Sequence, residues 1–230
     1  MIWSIARFQK AGHLYIPVLK SAAFILVPLS LGIWGLKYGV SSLHHLRFQS
    51  PTDFPMSVVI SMGLGAFIFD TLMGLLWLVV AVHATAFAFK AHTEVSMGSL
   101  FRESHQTLIE DLRKTMSVLL WSLAFIIPGI FRWIRLTFTC FVSLLNPSYQ
   151  EGKIDALEKS SQLVKGHGIA IALLLLAHLG VTSGLEEIGS RFAAFSIPLF
   201  FFYGLAWMVS LFFAIYMTLT YAALDPEVTL

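Results

Sequence analysis

From Phe195 to Ala223 the chain runs 29 residues without a charged side chain. Such a stretch is long enough to cross a hydrocarbon core of roughly 30 Å as a helix. A helix apolar on every face belongs in a protein interior or in lipid, not in water. Further apolar runs cover Ser21 to Gly35, Met56 to Lys90, Thr115 to Asn146 and His167 to Gly184. Charged residues make up only 12% of the chain, about half the roughly 25% of a soluble domain. A soluble enzyme or nucleic-acid binder could not cover its surface with so few. The fold class is therefore all-α, a polytopic integral membrane protein, read as a single membrane domain over 1–230.

The remaining totals exclude more. A formal charge of +2 is too small to point to nucleic acid. Cys140 is the only cysteine, so one chain can form no internal disulfide and no zinc site built on two thiols. The N-terminal apolar run contains Pro28 and lacks a small-x-small cleavage pattern. It reads as an uncleaved first span, about Lys20 to Val40, preceded by a short interfacial helix. Ser41 to Pro55 reads as a loop, and Met56 to Lys90 as one tilted second span. His92 to Lys114 alternates charged and apolar residues, as an interfacial helix does.

Thr115 to Asn146 admits two readings. One long kinked helix would put Arg132 and Arg135 near the bilayer centre, at about 2.5–3.5 kcal/mol each. A hairpin cornered at Pro128-Gly129 would leave both arginines near the far interface, able to snorkel. The cost favours the hairpin. Beyond Asn146-Pro147, Ser148 and Glu151 have capping-box spacing, and an amphipathic helix follows to Lys165. Gly180 and Gly184 suit a small-residue contact within the next span. Glu186, Glu187 and Arg191 read as a polar loop before the last span. The hairpin reading gives six membrane helices. It puts ten Lys and Arg on the side of the termini and five on the other. The positive-inside rule then places both termini in the cytoplasm.

One segment resembles a known group. Leu120 to Ile130 ends in Ile127-Pro128-Gly129-Ile130, and Ala156 to His167 carries Ser160, Leu163, Lys165, Gly166 and His167 at fixed spacing. This pattern resembles a group of uncharacterised bacterial multi-pass membrane proteins related to the membrane domain of some glycerophosphodiester phosphodiesterases. It covers about residues 115–170. The resemblance implies a bacterial inner membrane and makes Pro128, Gly129, Ser160, Lys165, Gly166 and His167 structural markers. It implies no catalytic residue.

Asp70 lies inside the second apolar run, where an isolated carboxylate costs about 2.5–3.5 kcal/mol. It reads as an ion or proton site, or as a group paired within the bundle. Arg132 and Arg135 share a helix face and read as headgroup anchors or, with Asp70, as a transport path. His92, Glu94, Glu103 and His105 match no ligand set, and His83 and His178 read as hydrogen-bonded bundle residues. No enzyme signature occurs. The sequence therefore predicts no catalytic, cofactor or metal site. It predicts a non-enzymatic protein in membrane or envelope support, with a small-ion channel or transporter as the alternative. The expected partners are the lipid bilayer and a second copy or another membrane protein, with no nucleic acid.

Overall fold

A computed structural model describes residues 4–49, 64–65, 74, 76–86, 88, 97–192 and 197–228. Asp70, His92 and Glu94 lie outside the described residues, as does most of the second apolar run. Among the described residues all regular structure is helical: α1 (Ile5–Gln49), α2 (Leu76–Ala86), α3 (Met97–Ala124), α4 (Ile126–Arg135), α5 (Thr139–Leu145), α6 (Pro147–Gln150), α7 (Ala156–Val164), α8 (Gly168–Ser190) and α9 (Ile197–Leu224). Three stretches among the described residues are long and apolar enough to cross a membrane: Ile126–Leu145, Gly168–Ser190 and Ile197–Leu224. A fourth arises if the bent pair Ile5–Lys20 and Ile25–Gly32 counts as one span.

Within α1 those two pieces meet at 89°, so the first sits across the second. The helix also continues through Ser41–Gln49, where a loop was expected. No glycine or proline interrupts Val40 to Ser50, and Pro51 is the first residue that disfavours helix before it.

The break after α3 falls at Phe125, not at the expected corner Pro128-Gly129. Phe125 is extended, at φ −159° and ψ 140°. Pro128 is the cause, acting four residues upstream. Its ring collides with the carbonyl of Ala124 in a continuous helix, and it has no N–H to donate there. In the first turn of α4 that missing donor costs nothing. Beyond the break the chain runs back along α3. Ser122 meets Gly129, Ser117 meets Arg132, Asp111 meets Cys140, and Thr107 meets Ser143. These pairs step evenly away from Phe125, so α3 lies antiparallel to α4 and α5. A Cβ on Gly129 would sit 2.0 Å from Ser122 Oγ and 2.9 Å from Ser122 Cα. Only glycine permits this approach.

The expected capping box at Ser148 is not used. Asn146 caps α6 by accepting the Tyr149 N–H at 3.1 Å, with Pro147 at the first helical position. The amphipathic helix α7 starts later, at Ala156, where Asp155 Oδ1 accepts from the N–H groups of Leu157 and Glu158. It buries Ala156, Ser160 and Val164, the i, i+4, i+8 face. Gly166, at φ +84°, turns the chain into α8.

Helices α8 and α9 pack antiparallel, with His178 against Ser210 and Phe213, and Gly189 against Phe202 and Tyr203. Gly180 and Gly184 are exposed, and a Cβ on either would meet nothing within 4 Å. The close helix contacts are made instead by Gly129 and Gly189. Glu186 and Glu187 belong to α8, which runs on to Ser190, and Arg191 pairs back to Glu187 at 3.5 Å. The polar loop expected at Glu186, Glu187 and Arg191 is instead the last turn and cap of that helix.

Candidate functional site

Two features stand out: a polar knot at one end of the bundle and an apolar cavity within it. The knot is built on chain breaks. Asn146, fully buried between α5 and α6, caps α6 with its carbonyl oxygen. With its NH2 it donates to Asp225 Oδ2 at 2.7 Å. Asp225 follows the last residue of α9, where the helix macrodipole disfavours negative charge, and it is fully buried. Four donors hold it: Asn146, the Tyr221 hydroxyl at 2.9 Å, Lys159 Nζ at 3.3 Å and the Glu227 N–H at 3.3 Å. Burial alone would raise the Asp225 carboxyl. The bonds from Asn146, Tyr221, the Glu227 N–H and Lys159 outweigh it and hold the group below its ordinary value. Lys159 also reaches Glu227 at 3.1 Å. Burial favours its neutral amine, yet Glu227 and Asp225 hold the ammonium above its ordinary value.

A second cluster ties α3 to the same end. Arg113 bonds both oxygens of Glu110, at 2.8 and 3.0 Å, and Asp155 Oδ2 at 2.6 Å. The Tyr149 hydroxyl donates to Glu110 at 3.0 Å, and burial together with that bond pushes its pKa to about 12. Asp155 thus caps α7 with one oxygen and anchors α3 with the other. Against a burial effect that opposes it, the Arg113 bond holds this carboxyl below its ordinary value.

Of the marker residues, Ser160 has the clearest task. Its hydroxyl donates to the Arg135 carbonyl at 2.9 Å and accepts the Phe138 N–H at 3.1 Å. Those backbone groups lie across the turn between α4 and α5, where helical bonding lapses, so Ser160 splints it. Lys165 is exposed at the end of α7, Gly166 makes the turn, and His167 precedes α8. Arg132 donates to Ser117 Oγ at 2.9 Å, and Arg135 is exposed. The structure does not bring the two arginines together at one polar centre.

The cavity has a volume of about 700 Å³. Its wall comes from α1, α2, α3, α4, α5, α8 and α9, and includes Ser30, Trp77, Lys114, Thr137, His178, Glu186 and Trp207. Trp133 of α4 and Thr137 of the turn after it reach it, whereas Arg132 and Arg135 do not line it. His178 stacks on Phe213, with ring centroids 4.1 Å apart, and its Nε2 lies 3.3 Å from Ser210 Oγ. His83 lies beside the Val79 carbonyl within α2. Both histidines are thus tied into the bundle. Among the described residues no three His, Cys, Asp or Glu side chains converge as metal ligands do.

Sequence reasoning passed over Asn146, Asp225 and Lys159 as a unit, because 79 residues separate the first two. Signals existed locally. Asn-Pro is a cap followed by a first-turn proline, and an aspartate just past a helix C-terminus needs a partner. No protein-family profile, curated protein or solved structure matches the chain. Among the described residues the fold is all-helical, with three to four helices able to cross a membrane by length and composition.

Proposed function

We propose that this chain is a non-enzymatic, multi-span protein of a bacterial cytoplasmic membrane that acts through contacts with lipid and with other membrane proteins. One observation carries the reading: polarity is turned inside out between the α3–α4 turn and the polar end of the bundle. Leu123, Phe125, Ile126 and Ile127 are each more than two-thirds exposed, while Thr107, Glu110, Ser143, Asn146 and Asp225 are buried. Lipid is the solvent that suits both halves of that pattern.

The finer topology belongs to the same proposal. The α3–α4 turn enters the bilayer as a hairpin and gives six membrane helices. Both termini and α7 then lie in the cytoplasm, as the ten-to-five division of basic residues supports. The antiparallel pairing about Phe125 supports the hairpin, because it places α5 and α7 at the same end as the start of α3.

The test is the side on which α7 lies. Cys140 is replaced by alanine and a single cysteine is placed by Glu158→Cys, an exposed site on α7. An impermeant thiol reagent is then applied to intact cells and to inverted vesicles. Labelling only in inverted vesicles is expected. Labelling in intact cells would remove the hairpin and turn 126–145 into a crossing span carrying Arg132 and Arg135.

A further inference from the structure

We propose that the α3–α4 hairpin is a half-depth wedge: it packs among the acyl chains of one leaflet, on the side of α7, and its tip stops near the bilayer midplane. The inference rests on the membrane reading and fixes how far the hairpin enters. The tip is Phe125, flanked by Leu123, Ile126 and Ile127, all exposed. From there α4 runs 10 residues to Arg135, about 15 Å at 1.5 Å per residue. That is about half of a hydrocarbon core of roughly 30 Å. Arg135 is exposed, and beyond it the chain turns inward, since α5 is buried from Thr139 to Leu144. The lipid-facing part of this arm therefore ends with α4.

The other arm gives the same depth. On α3 the exposed side chains from Leu123 back to Met116 are all apolar, Leu119 and Leu120 among them. Farther back the exposed face mixes Leu112 and Ile109 with Thr115, Arg113, Gln106 and His105, as a helix does at a membrane surface. The change falls at Lys114, about 17 Å from the tip. A hairpin crossing the whole core would draw the polar end in after it. With the tip at the far interface, Lys114, Arg113 and Glu110 would lie about 8 to 13 Å inside the near one. Arg113 and Asp155, paired at 2.6 Å, have side chains 47% and 39% exposed, so both charges would face hydrocarbon. Charged groups at that depth face the protein interior or water instead. Tilt brings them closer to the tip in depth and makes full crossing worse. Arg132 lies within the wedge, about 10 Å from the tip. It donates to Ser117 Oγ, so its guanidinium leans toward the near surface, as a snorkelling arginine does.

The test uses the full chain carrying Cys140→Ala, with single cysteines placed by Phe125→Cys, Leu120→Cys and Leu112→Cys. Each is spin-labelled in phosphatidylethanolamine–phosphatidylglycerol vesicles, and collisions with oxygen are compared with those of a water-soluble nickel chelate. The oxygen-to-nickel ratio should be highest at Phe125→Cys, lower at Leu120→Cys, and about tenfold below the first at Leu112→Cys. An impermeant thiol reagent should label Phe125→Cys from neither side of the membrane. Thermal unfolding of each variant shows whether it has folded, and Ile126→Cys is a second position at the tip. A ratio that peaks at Leu120→Cys and falls at both tip positions would overturn the inference, because the tip would have reached the far surface. So would labelling of either tip cysteine from the side opposite Glu158→Cys. Labelling of the tip from the side of Glu158→Cys would also overturn it, by placing the hairpin in water. Carbonate extraction of cell membranes scores the underlying reading separately. A protein that stays in the membrane with its tip open to the far side removes only the half-depth wedge.

Discussion

The two ends of α3 face opposite ways. Near Phe125 the helix and its neighbour α4 expose Leu120, Trp121, Leu123, Ile126 and Phe131 and come together on a glycine. Near Glu110 the same helix buries charge, with Arg113, Tyr149 and Asp155 bonded around that carboxylate. The first end is held by close backbone approach, and the second by hydrogen bonds between distant segments. The lesson concerns solvent. Where lipid surrounds a helix pair, exposing leucine costs nothing and association must come from packing. Where water is near, buried polar groups must find partners in the protein.

The comparison breaks most readily at the polar end. Asp225→Ala leaves Lys159, Asn146 and Tyr221 without their shared acceptor. Removing one partner of a buried pair costs about 3–5 kcal/mol, read as a lowered midpoint of unfolding in mixed micelles. A change below 1 kcal/mol would show that the knot is ornamental. The same site sets an acid limit. Its folded pKa lies below the ordinary 3.8, so its contribution is fully present well above 3.8 and is lost as pH falls through the folded value. Asp225→Asn should therefore flatten the acid side of the stability profile.

At the apolar end, Ile127→Asp tests the solvent directly. Deep in lipid a carboxylate costs about 2.5–3.5 kcal/mol of insertion, which should appear as a loss of membrane-integrated protein. Unchanged integration would place the turn in water. Gly129→Ala probes packing at the same end. Ser122 Oγ can rotate away, but Ser122 Cα cannot, so the helices must part, at about 1–3 kcal/mol. Ser122→Gly should restore part of the loss in a double mutant, as measured by the same unfolding midpoint. The smallest effect belongs to Ser160→Ala, about 1–2 kcal/mol for the two backbone groups it leaves unpaired. Ser160→Thr keeps the hydroxyl and separates that loss from a general packing effect.

Much of the fold is legible in the sequence because hydropathy acts locally. The apolar runs before Ser190 and after Ile197 are helices α8 and α9, and the mixed run ending at Lys114 forms the first part of α3. Pro128 announces a break. Its position, four residues upstream at Phe125, requires knowing which carbonyl the ring would strike. The capping pattern at Ser148 misleads because Asn146-Pro147, two residues earlier, already starts a helix. Spacing alone does not say which glycine another helix of the chain will approach: that role falls to Gly129 and Gly189, while Gly180 and Gly184 stay exposed.

The sequence by itself determined that this chain is helical and carries stretches able to cross a membrane, since a long run without charge does not face water. It also announced a break near Pro128, because proline acts on its own backbone, although Pro17 and Pro28 lie inside α1. Only the tertiary structure decided which polar groups meet. Asn146 and Asp225, 79 residues apart, meet where the end of α9 returns to the start of α6, and the cavity is lined by residues from seven helices. Hydrogen bonds reach about 3 Å, so their partners are set by where the chain returns to itself, and no local pattern records that.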